Sequence, residues 1–145
     1  MYLVDVNILL HAAIRAAQWH DVARPWLDER LDGRMATVGL PWHSLLGFVR
    51  ISTGPRFVDP QVPVSTAWRQ VERWLDAPAA WIPSPGRGHR HVIAQLIDST
   101  SPTSKSVADL HLAALAIENG LTVASTDTDF GDMPGVRWLN PLRTA

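Results

Sequence analysis

Short apolar runs alternate with longer stretches of helical periodicity along this chain, and the alternation limits the folds that it can adopt. The apolar runs are too short for helices, so they are predicted to be buried strands. The predicted strands cover residues 2–5, 35–38, 81–82, 121–124 and 136–139. The predicted helices cover residues 7–14, 20–31, 41–52, 65–77, 91–97 and 109–119. Strands that alternate with helices predict an α/β domain with a central, mostly parallel sheet.

Three residues suggest where the predicted helices begin and end. Asn7 can cap the first helix, because an asparagine side chain can accept a hydrogen bond from the backbone of the first turn. Pro25 has no backbone N–H, which suggests that the second helix begins near this residue. Gly120 follows the last predicted helix and is expected to end it.

Composition restricts the class of protein. A length of 145 residues is common for one domain, so residues 1–145 are interpreted as a single domain, and a hydrophobic content of 46% is enough for one sizeable core. No segment approaches the ~20 consecutive apolar residues of a membrane span, and the amino-terminal residues resemble a strand rather than a secretory signal. Cysteine is absent, which excludes disulfides, thiolate metal ligands and a cysteine nucleophile. These features fit a cytoplasmic protein.

The charge balance also restricts the way in which the chain could bind nucleic acid. The net charge is −1, so binding would depend on a local basic patch rather than on attraction to the whole molecule. Lys105 is the only lysine, and the arginines that supply the other basic groups can hold a phosphate through two parallel hydrogen bonds.

Acidic residues stand beside three of the apolar segments. Asp5 ends the first predicted strand, Asp109 lies at the start of the last predicted helix, and Asp127 and Asp129 follow the strand at 121–124. Each position has a structural alternative: Asp5 could cap a helix, Asp109 could be stabilised by the helix dipole, and the last two could lie in a solvated turn. In an open parallel sheet, however, the carboxyl ends of the strands line one crevice. We therefore expect the four acids to converge there.

Converging carboxylates repel one another. At ~5 Å and an effective dielectric constant of ~20, each pair costs about 3 kcal/mol. Such a cluster usually persists because a divalent cation neutralises it. The acids therefore predict a metal-dependent active site. Asn7 could support this site through a hydrogen bond to Asp5 or to a metal-bound water if it does not cap the helix.

Other catalytic patterns are weak or absent. His111 lies two residues after Asp109 and is expected to point to a different face of the helix. No pair of histidines has the spacing of a zinc protease, and His20 and His43 are interpreted as core or surface residues. The chain has neither a complete glycine-rich phosphate loop nor a Gly-x-Ser-x-Gly sequence, so a serine hydrolase of that type is not expected.

Five segments resemble the PIN-domain ribonucleases, and among them the VapC toxins of VapBC toxin–antitoxin modules. Residues 3–10 (LVDVNILL) are similar to the opening strand, acid and helix start of that family. Residues 109–120 (DLHLAALAIENG) are similar to its late helix, and residues 121–130 (LTVASTDTDF) to its closing strand and Thr-x-Asp turn. Residues 47–50 (GFVR) and 134–141 (PGVRWLNP) resemble segments of an actinobacterial VapC subgroup. The segments occur in the family's order over nearly the whole chain.

The resemblance implies a three-layer α/β/α fold and RNA cleavage that depends on Mg²⁺ or Mn²⁺. The family's metal-binding and catalytic acids map onto Asp5, Asp109 and Asp127, with Asp129 as an additional acid near the metal. Thr126, in the Thr-x-Asp turn, and Asn7 are supporting residues in this interpretation. Many PIN domains also place a glutamate in the third helix, but residues 41–52 contain no acid. The alignment places a glycine, residue 47, at that position.

The resemblance also implies partners. A VapC-type toxin would cleave RNA, form a homodimer and bind a VapB-type antitoxin. Arg50, Arg87 and Arg90 are the candidate RNA-binding residues, and tryptophan is enriched at protein interfaces. The predicted interface is accordingly a helical layer that carries three tryptophans, namely Trp19, Trp26 and Trp42.

Two alternatives to a nuclease remain at this point. The first is a PIN-like module that binds RNA or protein without cleavage, and the missing glutamate supports it. The second is a receiver-like phosphoacceptor domain, which also gathers acids at strand ends. That fold would need a lysine after a late strand, whereas Lys105 precedes a helix.

Overall fold

The computed structural model describes residues 1–55 and 61–143, and they form strands and helices in regular alternation. The strands are β1 (Tyr2–Val4), β2 (Val38–Gly39), β3 (Ala80–Trp81), β4 (Thr122–Ala124) and β5 (Arg137–Leu139). The helices are α1 (Val6–Ala13), α2 (His20–Leu31), α3 (Trp42–Ser52), α4 (Val64–Leu75), α5 (His89–Thr100) and α6 (Val107–Asn119). Two short 3₁₀ helices cover Ser104–Ser106 and Thr128–Asp132.

The five strands form one sheet in the order β3-β2-β1-β4-β5, and all four pairings are parallel. The prediction of a parallel sheet is therefore confirmed. The chain builds outward from β1 through β2 to β3, and then returns to the other side of β1 with β4. The carboxyl ends of β1 and β4 thus lie at the point where the strand order reverses, which is where open α/β sheets bind ligands.

Helices cover both faces of the sheet and give it three layers. Successive residues of a strand point to opposite faces. On one side, Val4 belongs to a core cluster with residues from α1 to α4. On the other side, Leu3 belongs to a cluster with residues of α5 and α6. Among the described residues, no helix has both the length and the apolar character that crossing a membrane requires.

α2 covers His20–Leu31, as predicted, but the capping role of Asn7 and the helix start suggested by Pro25 are wrong. Asp5, rather than Asn7, caps α1, and its side chain accepts a hydrogen bond from the backbone of Val6. The helix begins one residue after the strand, which leaves the Asn7 side chain free for other contacts. Pro25 lies inside α2, which already begins at His20. The helix tolerates this proline because it is exposed, and water can hydrate the carbonyl group that loses its partner.

Other observed boundaries differ from the predicted ones by a few residues. β2 is Val38–Gly39 rather than residues 35–38, because the pairing with β1 begins at Val38, and Met35 is 74% exposed. The helix predicted at 91–97 is longer in the structure, where α5 runs from His89 to Thr100. Gly120 ends α6 in the left-handed conformation, as predicted, with φ 65°.

Candidate active site

Three of the four acids of interest meet at the carboxyl edge of the sheet. Asp109 lies in the first turn of α6, while Asp127 and Asp129 belong to the turn that follows β4. One carboxylate oxygen from each residue can be chosen so that all three lie within 4.8 Å of one another. Asp109 and Asp127 are partly buried, and Asp129 is exposed. The three acids thus form a cluster, the acidic pocket, that is exposed to solvent at Asp129.

Asp5 lies behind these acids and is hydrogen-bonded on both oxygens. It is 4% exposed. Its Oδ1 accepts a hydrogen bond from the Val6 backbone at 2.7 Å. Its Oδ2 accepts from the Ser125 hydroxyl at 2.7 Å and from Asn7 Nδ2 at 3.2 Å. Asp5 therefore acts both as a helix cap and as part of the acidic cluster, so the two readings of this residue are compatible.

Ser125 and Asn7 connect Asp5 to the turn after β4. The Ser125 hydroxyl also accepts hydrogen bonds from Asn7 Nδ2 at 3.1 Å and from the Asp127 backbone at 3.0 Å. Asn7 Oδ1 accepts from the Thr126 backbone at 3.1 Å. Asn7 thus forms the hydrogen bond to Asp5 that was predicted as one possibility, whereas Thr126 contributes through its backbone. Ser125 was missed in the sequence, although its position directly after a strand at the acidic edge could have indicated it.

The pKa values of two acids in this site are raised by burial and by repulsion between neighbouring carboxylates. Burial raises the pKa of Asp5, hydrogen bonds from Ser125 and Val6 lower it, and the charge of Asp127 raises it. Burial and then the charges of Asp127 and Asp5 raise the pKa of Asp109 to about 7. A divalent cation would relieve this repulsion. Carboxylate oxygens are the ligands that Mg²⁺ and Mn²⁺ prefer, so the residues present fit such an ion.

At residue 47, the third helix carries a glycine that lies beside the start of α1. A Cβ atom added to Gly47 would lie 3.3 Å from Cγ2 of Val6, so this position packs against the start of α1. That Gly47 marks the empty position of a metal ligand stays a prediction. A side chain there would require the Val6 side chain to shift by a few tenths of an ångström.

The three arginines predicted to bind RNA do not contact the acids. Arg50 is exposed in the last turn of α3, at the end of the helix away from the sheet edge. Arg87 and Arg90 are exposed on either side of the start of α5. Within residues 1–55 and 61–143, none of the three forms a salt bridge to an acid. Their role in RNA binding stays a prediction.

A group of histidines that the sequence did not suggest as a unit lies beside α6. His89 Nδ1 lies 2.5 Å from Glu118 Oε2, and its Nε2 lies 3.0 Å from His111 Nδ1. The His43 ring lies 5.9 Å from the His111 ring, centroid to centroid. Burial and then the neighbouring His89 and His43 lower the pKa of His111. The spacing of seven residues between His111 and Glu118, two helical turns on one face, was the available signal.

The fold and the acidic edge define a known class of protein. A family model described as "PIN domain" matches residues 2–136. The chain belongs to the PIN-domain family, which confirms the resemblance of its motifs.

Curated relatives and solved structures agree with this assignment. The chain is 38% identical over 141 residues to Ribonuclease VapC37 of Mycobacterium tuberculosis, with 97% of each chain covered. It is 32% identical over 143 residues to Ribonuclease VapC33 of the same species, with 99% of each covered. A chain in the crystal structure of VapBC2 from Rickettsia felis bound to a promoter DNA fragment has a TM-score of 0.69 at 14% identity, covering 96% of this chain and 97% of that one. FitAcB from Neisseria gonorrhoeae has a TM-score of 0.66 at 18% identity, covering 99% of this chain and 100% of that one.

Proposed function

We propose that this protein is a Mg²⁺- or Mn²⁺-dependent endoribonuclease and the toxin component of a type II toxin–antitoxin system. The observation that carries the proposal is the convergence of Asp109, Asp127 and Asp129 oxygens within 4.8 Å at the carboxyl edge of the sheet. Relatives that match nearly the full length and are named VapC ribonucleases support the reaction class. A cytoplasmic location, where RNA is available, is part of the proposal.

The side chains at the carboxyl edge of the sheet would have different roles. Asp109, Asp127 and Asp129 would hold the ion, and Asp5 would add negative charge from behind them. When bound, the ion activates a water molecule for attack on a phosphodiester and stabilises the charge that develops. Ser125 and Asn7 fix Asp5 relative to Asp127 through their hydrogen bonds. Asp129 lies on the exposed side of the pocket, where an RNA backbone can approach.

The RNA would be held by residues around the pocket rather than by the charge of the whole protein. Arg87 and Arg90 are exposed beside the start of α5, and Arg50 is exposed on α3. Arginine can hold a phosphate through two hydrogen bonds. Single-stranded loops of structured RNA are the favoured substrate class, because their bases and backbone are accessible.

An antitoxin and a second copy of the chain are the proposed partners. The solved structures with similar folds include VapBC and FitAB assemblies, which supports a VapB-type antitoxin. Trp19 and Trp42 are 39% and 44% exposed and could contribute to an interface. Trp26 packs edge-on against Tyr2, and Trp42 stacks on Trp68, so these two of the three predicted tryptophans take part in separate local contacts. Light scattering of the purified chain, alone and after co-expression with its antitoxin, measures both assemblies.

The reaction is tested with purified protein and a panel of structured RNAs. We expect cleavage with Mg²⁺ or Mn²⁺ and none after chelation. Asp127→Asn should lower the cleavage rate by about 10²–10⁴-fold, the range for loss of an acid–base or ligand group. Asp98→Asn, which removes an exposed acid of α5, should cleave normally. Cleavage that persists in chelator would contradict the metal dependence, and cleavage that persists in Asp127→Asn would show that the active site lies elsewhere.

A PIN-like module that binds without cleavage is the second candidate. The absence of any acid in α3 favours it, because the pocket then has fewer ligands than many PIN domains. RNA that is bound but remains intact with every divalent metal would favour this candidate over the nuclease.

A further inference from the structure

Both ring nitrogens of His89 contact another side chain. Glu118 lies against its Nδ1 at 2.5 Å, and His111 lies against its Nε2 at 3.0 Å. The side chains of His89 and Glu118 are each 13% exposed. The second oxygen of Glu118 accepts a hydrogen bond from the Gly86 backbone at 3.2 Å, which fixes the carboxylate as well.

The contact with Glu118 sets the direction of the His89 ring. An ionised carboxylate only accepts hydrogen bonds, so Nδ1 of His89 donates to it. In the neutral ring, Nε2 then carries a lone pair that points toward His111. A histidine that donates one ring N–H to a carboxylate and presents its other nitrogen is the usual arrangement of a metal ligand in proteins.

The distances are close to those of a bound ion. Zn²⁺ binds imidazole nitrogen at about 2.0–2.1 Å in tetrahedral geometry, which puts two ligand nitrogens roughly 3.4 Å apart. His89 Nε2 and His111 Nδ1 are 3.0 Å apart and share a hydrogen bond, so an ion would replace the shared proton, and the two rings would separate by a few tenths of an ångström and turn toward a common point. The exposed His43 ring, 5.9 Å from that of His111, can turn toward the same point.

We propose that His89 and His111, with His43 as a third ligand, form a second metal site that takes a transition-metal ion such as Zn²⁺. Imidazole ligands suit Zn²⁺, Ni²⁺ and Cu²⁺, whereas Mg²⁺ requires oxygen ligands. The site therefore differs in chemistry from the acidic pocket. It joins α3, α5 and α6, and a bound ion would tie the start of α5, with Arg87 and Arg90 beside it, to the catalytic helix.

Calorimetric titration of the chelator-treated full chain with Zn²⁺ tests this site. The titration uses the double variant Asp109→Asn/Asp127→Asn, so that the acidic pocket cannot bind the ion. We expect one Zn²⁺ to bind. Adding His89→Gln or His111→Gln should weaken binding at least ~10-fold, and Glu118→Gln should weaken it by about 10–100-fold through loss of the outer partner.

His91→Gln is the matched control, since His91 is exposed on the same helix and should bind Zn²⁺ as before. No binding in the double variant, or binding that His89→Gln and His111→Gln leave unchanged, overturns the proposal. If the histidine variants fail to fold, a measurement without histidine substitutions still tests the site. Nitrogen NMR of the double variant should show Zn²⁺ shifting the imidazole signals of His89 and His111, and unshifted signals equally overturn the proposal.

The outcome is independent of the proposed nuclease activity. Zn²⁺ binding at the histidines can be present in a protein that does not cleave RNA. Conversely, loss of cleavage in Asp127→Asn leaves this site intact. The two hypotheses therefore succeed or fail in separate experiments.

Discussion

The Ser125 hydroxyl uses its full hydrogen-bonding capacity inside the acidic site. A serine hydroxyl has one donor and two acceptor positions. Ser125 donates to Asp5 and accepts from Asn7 and the Asp127 backbone. It is fully buried, so no water replaces a partner that is lost. This one side chain sets the position of two acids that are 122 residues apart in sequence, namely residues 5 and 127.

Ser125→Ala is expected to lower the free energy of unfolding by about 1–3 kcal/mol, because it leaves buried polar groups without a partner. The pKa of Asp5 should rise further, since the hydrogen bond from Ser125 lowers it. Urea unfolding measures the first effect, and Ser84→Ala, at an exposed position, is the control. Equal stability of the two variants would mean that the Ser125 hydroxyl has no structural role.

Asp109 gives the metal-free protein a specific pH dependence. Its pKa is 3.8 in the unfolded chain and about 7 in the folded one, so the folded state binds the proton more tightly. The stability from this group is complete below the unfolded pKa and is lost as the pH rises through about 7. Asp109→Asn removes the titration. Its stability relative to the wild type should therefore increase between pH 5 and pH 8.

This increase should be about 1 kcal/mol, because partial exposure of Asp109 screens the repulsion. Urea unfolding of both proteins in chelator at the two pH values measures it, and the titrating groups that do not interact with Asp109 cancel in the comparison. A stability difference that is the same at both pH values would contradict the raised pKa.

At the scale of the elements, the sequence predicted the number, type and order of strands and helices. Hydrophobic periodicity is strong in segments such as α4, where the buried residues Ala67, Val71 and Trp74 lie on one face of the helix. The boundaries were less accurate where tertiary contacts decide them. The start of β2 depends on its register against β1, and the cap of α1 depends on Asn7 being engaged by Ser125 and Thr126. Neither contact is visible in local sequence.

The candidate site was predictable to the extent that topology determines it. Parallel strands bring Asp5, Asp109 and the turn after β4 to one edge whatever their separation in sequence. The histidine group was not predictable in the same way, because it depends on how α5 packs against α6. The ring of His89 reaches Glu118 and His111 only in that packing.

The end of α6 provides a prediction about the helix that carries Asp109. Gly120 has φ 65°, a conformation that costs an L-residue roughly 1–2 kcal/mol. Gly120→Ala should lower the free energy of unfolding by about 1 kcal/mol, although a Cβ there would meet nothing within 4 Å. Gly88→Ala is the control, because Gly88 has φ −80° and equally open space. Gly88 is the N-cap residue of α5, where alanine is less favourable than glycine, so Gly88→Ala should cost a few tenths of a kcal/mol, less than Gly120→Ala. A similar loss in both variants would contradict the left-handed conformation as the cause.

At the scale of the whole molecule, the acidic site that would cleave RNA and the arginines that would bind RNA carry opposite charges. The net charge of −1 gives no general attraction for RNA, and the acidic pocket itself repels phosphate until a cation is bound. We therefore expect affinity for RNA to come from a few exposed arginines. Each arginine that neutralises a phosphate releases a counterion, so its contribution can be counted from the dependence of binding on salt.

The dependence of RNA binding on salt concentration tests whether Arg87 and Arg90 neutralise RNA phosphates. For single-stranded RNA, the logarithm of the binding constant falls against the logarithm of salt concentration with a slope of about −0.7 per neutralised phosphate. The double variant Arg87→Gln/Arg90→Gln should reduce the magnitude of that slope by about 1.4. The matched control Arg69→Gln/Arg73→Gln changes the charge equally on the exposed side of α4 and should leave the slope unchanged. Binding is measured in an Asp127→Asn background with Mg²⁺ present, so that the RNA remains intact. Equal slopes for the two double variants would place the RNA on another surface of the molecule.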